Sequence, residues 1–343
     1  STAAGTLSVT ISATNAGGSD SKTLTLTINS MTPLPNVKFL GYYTSKPYED
    51  PLPELLTQTS INLVYVMPGG TTPESQLLAV KASGKKAYIA LRWILFDNVH
   101  CTDPGISCAF PKGVINEDKD REILFPDAAA RWANYVNSSN LKNHVQDIAA
   151  FDLTDEPFWN NVSYEDLQAA ALIVKRDFPT TPISIVESGA VLEPSRIAVL
   201  RVPEIVDWVG FDHYGLLHPA SPDPTLDVTF PQTFLQNLAA VKSRLTRPRQ
   251  RIVLVPDASW TPQHGAQGVS MAAMAGVFQE TVDVARGEPR VTALLNFIWD
   301  WIDPANPNNP NIGARDLPQA ARDAYTAVGN SIVANPPGDR TPP

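Results

Sequence analysis

Ile148-Ala149-Ala150-Phe151-Asp152-Leu153-Thr154-Asp155-Glu156-Pro157 is the stretch from which the fold can be worked out. Its apolar start predicts a buried strand, and two adjacent carboxylates followed by proline end that strand. Half-buried acids are costly unless they are paired or used, and acids at the carboxyl end of a barrel strand are more often functional than structural. The alternative is a solvated loop in which one acid caps a helix. Asp155 and Glu156 are therefore the first candidate functional residues.

The same pattern, a short apolar strand followed by an amphipathic helix, recurs along the chain. Candidate strands cover residues 37–43, 61–67, 86–92, 148–153, 183–186, 205–211, 252–255 and 293–299. Amphipathic stretches cover residues 73–83, 126–143, 163–178, 231–246, 270–286 and 317–334. This alternation predicts an α/β fold, a (β/α)8 TIM barrel over residues 37–335. A doubly wound open sheet is the alternative, although no Gly-rich phosphate loop follows the first strand.

Residues 1–30 differ from the barrel region, because two Thr-rich alternating stretches flank a turn with two glycines. This pattern predicts a β-hairpin. Two strands cannot form an independent domain, so the segment resembles the last hairpin of a bacterial immunoglobulin-like module. Residues 31–36 are interpreted as a linker and residues 336–343 as a Pro-rich C-terminal tail.

Composition narrows the classes of partner. The net charge of −9 argues against nucleic acid and against an anionic membrane surface. No apolar run approaches the roughly 20 residues needed to cross a bilayer. We expect a monomer that needs neither a metal nor an organic cofactor.

The two cysteines, Cys101 and Cys108, lie in a loop-like stretch rich in Asp, Pro and Gly. A local disulfide is the favoured use and a pair of free thiols is the alternative, while His100 alone does not complete a metal site. A disulfide, together with 31 prolines, suits an exported protein that is secreted or held at a bacterial cell surface.

A barrel brings the carboxyl ends of all its strands to one face, so the residues at those ends are the candidate site. Those chosen are Tyr43, Arg92, Trp93, Asp155, Glu156, Trp159, Glu187, Asp212, His213, Tyr214, Asp257, Trp260 and Trp299. With Trp301, five of the seven tryptophans fall at this face. Flat apolar rings beside carboxylates suit pyranose sugars, which predicts a carbohydrate substrate. For Trp299, a structural role as a plug of the barrel mouth is equally open.

With these residues in place, the chain resembles a clan A-type glycoside hydrolase. Glu156-Pro157 matches the general acid/base position at strand four, residues 208–215 resemble the strand-six pattern, and Trp299 matches the strand-eight tryptophan. The resemblance implies a secreted hydrolase that cleaves a polysaccharide or oligosaccharide. It implies Glu156 as general acid and Asp257, after strand seven, as the second carboxylate.

Two positions depart from that family, since Asp155 stands where Asn is usual and Asp257 stands where Glu is usual. Asp212 and Glu187 are therefore rivals for the second carboxylate. Adjacent Asp-Glu also resembles substrate-assisted N-acetylhexosaminidases, in which Asp155 would orient the substrate acetamido group. Gly41-Tyr42-Tyr43 and the Asp-x-Tyr pattern of Asp212 and Tyr214 also resemble chitinase-like barrels, although the Asp-x-Asp-x-Glu run of that family is not matched between Asp152 and Glu156.

Several roles stay open at this point. Glu187 could be a structural ion-pair partner, and His213 and Tyr214 could bind substrate or orient a carboxylate. Arg92 could steady Asp155 or Glu156, bind an acidic sugar, or form an ion pair within the barrel. A carbohydrate-binding barrel without catalysis is a further alternative, and so is a surface adhesin or cell-wall module.

Overall fold

The computed structural model describes residues 5–15, 18–28, 34–44, 53–68, 73–99, 121–192, 200–214, 233–266, 268–300 and 311–334. The strands in these ranges are β1 (Gly5–Asn15), β2 (Gly18–Ile28), β3 (Phe39–Tyr42), β4 (Leu63–Val66), β5 (Lys86–Ala90), β6 (Phe96–Val99), β7 (Arg121–Leu124), β8 (Ile148–Asp155), β9 (Ile183–Ser188), β10 (Trp208–Asp212), β11 (Arg251–Val255) and β12 (Val291–Asn296). The α-helices are α1 (Pro53–Thr57), α2 (Pro73–Ala82), α3 (Arg92–Leu95), α4 (Ala128–Ser138), α5 (Tyr164–Asp177), α6 (Phe234–Arg244), α7 (Pro262–Ala266), α8 (Met274–Gly287) and α9 (Gln319–Ala334). Short 3-10 turns cover Leu141–Asn143, Val145–Asp147, Gly189–Leu192, Met271–Ala273 and Ala314–Asp316.

Eight parallel strands form the centre of the molecule, in the order β3-β12-β11-β10-β9-β8-β5-β4. The two ends of this order meet at Asn62. Its backbone N–H donates to Leu40 O at 3.1 Å, and its side-chain amide donates to Lys38 O at 2.8 Å and accepts from the Leu40 N–H at 2.9 Å. The first strand therefore lies between the last strand and the second, which excludes the open sheet. The fold is the predicted (β/α)8 TIM barrel.

Side chains of the barrel strands pack in two layers. Those that face outward, such as Phe151 and Phe211, join the large core beneath the helices. Those that face inward include Tyr65, Tyr88 and Trp208. The ring centroids of Tyr65 and Tyr88 are 5.9 Å apart, and those of Tyr88 and Trp208 are 6.5 Å apart. The interior is therefore packed with aromatic rings, and the tyrosines bring hydroxyl groups into it that need polar partners.

The predicted strands and helices are confirmed in type, with shifted ends. β5 ends at Ala90 because Arg92 already begins α3, whereas β8 extends beyond the predicted strand to Asp155. α5 begins after an N-cap at Ser163, whose side chain accepts from the Asp166 N–H at 3.0 Å. Element ends shift in this way because hydrogen bonding and packing, rather than periodicity, determine where an element stops.

The antiparallel pair of β6 and β7, in which Phe96 lies opposite Leu124, was not predicted. Asp97 and Asn98 are exposed, so the strand lacks the apolar alternation that would have marked it. The helices α1, α3 and α7 were not predicted either, because they are four or five residues long and too short to show a helical period.

β1 and β2 form the predicted hairpin, with Gly5 opposite Ile28 and Asn15 opposite Gly18. Its likeness to an immunoglobulin-like module and the domain boundaries stay predictions. Cys101, Cys108, Trp301 and the predicted tail at 336–343 lie outside the described residues, and the disulfide stays a prediction as well. Within the described ranges, no helix combines the length and apolar character that a membrane span requires.

Candidate active site

A β-bulge at the end of β8 decides which of its carboxylates face the barrel. Asp152 pairs with Ser184 of β9 and Asp155 pairs with Val186. The pairing therefore advances by three residues on β8 and by only two on β9, so β8 carries one extra residue. In an unbroken strand, Asp152 and Asp155 would face opposite sides. Here both charges act on the interior hydroxyls of Tyr65 and Tyr88, while the Thr154 hydroxyl turns outward to Glu122. Bulges of this kind commonly redirect side chains beside active sites.

Glu156 follows the bulge in the left-handed backbone region, with a φ of 45°. Its N–H donates to Val186 O at 2.8 Å, and its carbonyl accepts from the Asn160 N–H at 2.8 Å. A non-glycine residue in this region costs about 1–3 kcal/mol and persists only when its surroundings hold it there. The half-buried Glu156 side chain is thus placed by a strained, hydrogen-bonded turn.

Glu187 lies beneath this turn. Both of its carboxyl oxygens are 3.3 Å from the Phe158 N–H, which donates to them. Burial raises the pKa of Glu187 well above its usual value, the Phe158 N–H lowers it, and the charges of Glu156 and Asp155 raise it again. Ile183 and Ile185 on the same strand belong to the outer core, so alternation directs Glu187 outward as well. The structure therefore places Glu187 behind the turn rather than in the barrel interior.

The end of β10 separates the three predicted residues Asp212, His213 and Tyr214. The Tyr214 hydroxyl donates to Asp212 Oδ2 at 3.1 Å, and its ring packs 4.6 Å from that of Phe297, at the inner core. Burial raises the pKa of Asp212 well above its usual value, and the charges of Glu156 and Asp155 raise it further. His213 points the other way, with Nδ1 2.8 Å from the Asn237 side-chain amide on α6. Asp212 and Tyr214 thus join the acids of β8, and His213 joins the helix layer.

Asp152 is a further interior acid, which the sequence analysis did not select. It is 1% exposed, and burial is the main cause that raises its pKa well above 3.8, with Asp155 adding to the rise. Asp152 Oδ1 and the buried Tyr43 hydroxyl have no hydrogen-bond partner among the described residues. The signal that could have found Asp152 was a carboxylate inside an apolar strand, two residues beyond Ala150 on the same face.

Replacing Asp152 with Asn is expected to stabilise the protein at neutral pH and to change little near pH 4. Because the raised pKa keeps a proton on Asp152 in the folded state, the stability from this group is present below its ordinary pKa of 3.8. That stability is lost as pH rises toward the raised pKa. Thermal unfolding of both proteins between about pH 4 and pH 8 measures the effect. A stability difference that does not change with pH would contradict it.

The side chain of Asp257, the predicted second carboxylate, contacts two residues of the segment that follows β11. The Ser259 N–H and hydroxyl each donate to Oδ1 at 3.0 Å, and His264 Nε2 lies 3.0 Å from Oδ2. The side chains of Asp257 and His264 are each 2% exposed. The Asp257 charge contributes, after burial and Tyr42, to the raised pKa of Tyr325 on α9. His264 belongs to α7 and Tyr325 to α9, whereas the charge of Glu156 acts on Asp212.

The predicted aromatic residues differ in how they are held. Trp93 is 39% exposed, with the Arg92 guanidinium 5.0 Å from its ring, and Trp159 is half-buried. The Trp260 indole N–H donates to Val269 O at 2.8 Å. The Trp299 indole N–H donates to Glu54 at 2.9 Å, and its ring lines a cavity of about 490 Å³ beside α1 and α9. Trp93 therefore offers the most accessible ring of the four.

Arg92 forms an ion pair with Glu122 of β7. Of the three roles considered for Arg92 in the sequence, an ion pair is therefore the one for which the structure shows a partner. Its charge also lowers the pKa values of Asp152 and Tyr65, so the guanidinium lies close to the barrel interior. Across the described ranges, no group of three or more His, Cys, Asp or Glu side chains is arranged to hold a metal ion.

The fold and site together define a (β/α)8 barrel with interacting carboxyl groups at the ends of β8 and β10. No protein-family model matches the chain, and no curated protein matches it. The similar solved structures include glycoside hydrolases. A beta-glucuronidase of an uncultured Clostridium sp. is 13% identical with a TM-score of 0.53, and the match covers 90% of this chain and 55% of that one. The Ruminococcus gnavus beta-glucuronidase is 11% identical with a TM-score of 0.52, covering 90% of this chain and 56% of that one, and a GH113 beta-1,4-mannanase is 12% identical with a TM-score of 0.50, covering 86% of this chain and 99% of that one.

The chain spans little more than half the length of those two glucuronidases. At such low identities the likeness shows the barrel fold alone.

Proposed function

We propose that this protein is a glycoside hydrolase that cleaves a polysaccharide or oligosaccharide. The observation that carries the proposal is that Glu156 and Asp155, at the carboxyl end of β8, lie near enough to Asp212, at the carboxyl end of β10, for their charges to raise its pKa. A pair of acids with different surroundings is the basic requirement for hydrolysis of a glycosidic bond. The similar solved structures support the proposal, since they are glycoside hydrolases on the same barrel.

Within this proposal, Glu156 is the general acid and Asp212 is the second carboxylate, in place of Asp257. Burial and the charges of Glu156 and Asp155 raise the pKa of Asp212, so these acids together retain a proton to a higher pH than separate acids would, and the mechanism requires that proton to be on Glu156 when substrate is bound. That proton is what the departing glycosidic oxygen requires. The ionised partner then stabilises the anomeric carbon, attacks it or activates water. Tyr214 orients Asp212 for this role through its hydroxyl hydrogen bond.

The other candidates take two kinds of role. Asp155 and Tyr43 act on the substrate from the barrel interior, and Trp93 and Trp159 provide rings for the apolar faces of sugars. Glu187, His213, Trp260 and Trp299 each have a partner within the protein and hold the walls of the site. We also propose that the enzyme is exported, on the strength of the Cys101–Cys108 spacing.

A substrate-assisted N-acetylhexosaminidase is the second candidate function. The bulge favours it, because it directs Asp155 into the barrel immediately before Glu156. In that mechanism the substrate acetamido group is the nucleophile and Asp155 orients it. Asp212 would then be dispensable for bond cleavage, which separates the two candidates by experiment.

The proposal is tested by incubating the purified protein with neutral, N-acetylated and uronic acid polysaccharides and measuring release of reducing ends. We expect product from at least one class, and we expect it to persist in the presence of a chelator. NMR of the first-formed anomer on that substrate then separates retention from inversion. Binding without product would favour the carbohydrate-binding alternative, and neither binding nor product would overturn the carbohydrate proposal altogether.

A further inference from the structure

We propose that Glu122 is a positioning residue for the turn that carries Glu156, an inference that rests on the proposed hydrolase function. We call residues 154–160 the acid turn. Glu122 belongs to β7, outside the eight barrel strands, yet its side chain is almost completely buried. Its contacts fall on both ends of the acid turn and on Arg92.

The first contact fixes the start of the acid turn. Thr154 is 1% exposed, and its hydroxyl donates to Glu122 Oε2 at 2.8 Å. Thr154 immediately precedes Asp155, and the bulge is what directs it outward. The Thr154 hydrogen bond therefore holds the bulge in the arrangement that directs Asp155 inward.

The second contact fixes the end of the acid turn. The Glu122 N–H donates to Asn160 O at 3.0 Å. Asn160 in turn donates from its side chain to Asp155 O at 2.9 Å and from its backbone to Glu156 O at 2.8 Å. One residue of β7 thus holds Asn160, which itself holds the backbone of both acids.

The third contact is an ion pair that holds the Arg92 guanidinium in place. The Glu122 carboxylate pairs with Arg92, whose charge acts on Asp152 in the barrel interior. A buried carboxylate is stable only when it is paired and hydrogen-bonded, and the Arg92 and Thr154 contacts supply both conditions. The same side chain therefore holds the acid turn and the cation beside it.

Such positioning matters because Glu156 has a strained φ of 45°, which the turn must maintain. A displacement of about 1 Å in a catalytic group can lower the rate about 100-fold. The substrate does not contact Glu122 in this proposal, so loss of positioning should appear in kcat rather than in KM.

The test compares Glu122→Gln and Thr154→Val with Thr154→Ser, which keeps the hydroxyl. We expect kcat to fall about 10- to 100-fold in the first two variants, with KM within about twofold of wild type. Thr154→Ser should stay within about twofold in kcat. The kcat of the Glu122→Gln/Thr154→Val double variant should lie within about twofold of the kcat of the less active single variant, because both changes release the same turn.

Glu288→Gln is the matched control, since Glu288 is 6% exposed, pairs with Lys242 and lies before β12 at the opposite end of the barrel. The proposal is overturned if Glu122→Gln and Thr154→Val lower kcat no more than this control does. It is equally overturned if their loss lies in KM alone, or if the losses multiply in the double variant.

Amide hydrogen exchange gives a readout that needs no substrate. In Thr154→Val we expect faster exchange at the amides of Glu156, Phe158 and Asn160, with no change in the barrel strands. Unchanged exchange in the acid turn would overturn the positioning role. If the wild-type protein hydrolysed nothing while this exchange still rose, the proposed function would fail and the positioning of the turn would stand.

Discussion

Glu156→Gln is expected to lower kcat about 10²- to 10⁴-fold on a polysaccharide while leaving the fold intact. The amide keeps the size of the side chain and its place in the strained turn, but it cannot deliver a proton to the departing oxygen. Reducing-end release measures the rate, and thermal unfolding checks the fold. Glu165→Gln, at an exposed position early in α5, is the matched control and should change neither quantity.

The role of Glu156 can be separated from a structural one by changing the leaving group. A dinitrophenyl glycoside of the same sugar departs without protonation, so its cleavage should depend far less on Glu156 than cleavage of the polymer does. Equal losses on both substrates would show that Glu156 is not the general acid. Unchanged activity on the polymer would remove Glu156 from the mechanism.

Asp212→Asn is expected to lower kcat at least about 10²-fold, because the amide can neither carry the negative charge nor attack the anomeric carbon. Its side chain still accepts from the Tyr214 hydroxyl, so the local geometry should survive. Asp257→Asn is the informative comparison, since Asp257 is held by Ser259 and His264. We expect it to affect stability more than turnover.

Two outcomes would redirect the assignment. A larger loss of turnover in Asp257→Asn than in Asp212→Asn would restore the strand-seven acid as the second carboxylate. Retained turnover in Asp212→Asn, together with loss in Asp155→Asn on an N-acetylated substrate, would favour the substrate-assisted mechanism. Both variants are measured on the substrate that the polysaccharide comparison identifies.

The barrel was predictable because each of its strands is buried on both faces and so reads as a continuous apolar run. The helices of ten residues or more were predictable for a related reason, since they are long enough to show their period. The hairpin of β6 and β7 was not, because its burial comes mainly from Phe96 and from a carboxylate, Glu122. A buried glutamate in a polar segment looks like any loop residue until its partners are known.

The candidate site was likewise predictable only in part. Strand order alone placed Glu156 and Asp212 at one face, because parallel strands deliver their ends to the same edge. Side-chain direction was not predictable beyond the strand ends. His213 and Tyr214 are neighbours in the chain, yet one contacts α6 and the other Phe297 in the barrel. Trp299 matched a family position, and its indole is held by Glu54 of α1.

The apolar pattern of the chain therefore determined the barrel and the strand ends at which its acids lie, and the resemblance to clan A-type glycoside hydrolases predicted Glu156 as the general acid. Tertiary structure decided which acids interact with Glu156. A single extra residue between Asp152 and Asp155 reverses the face that a side chain occupies, and periodicity cannot reveal it. The Thr154 hydroxyl beside that bulge donates to Glu122, which lies more than thirty residues away in the chain, and only the folded molecule brings these groups within hydrogen-bonding distance.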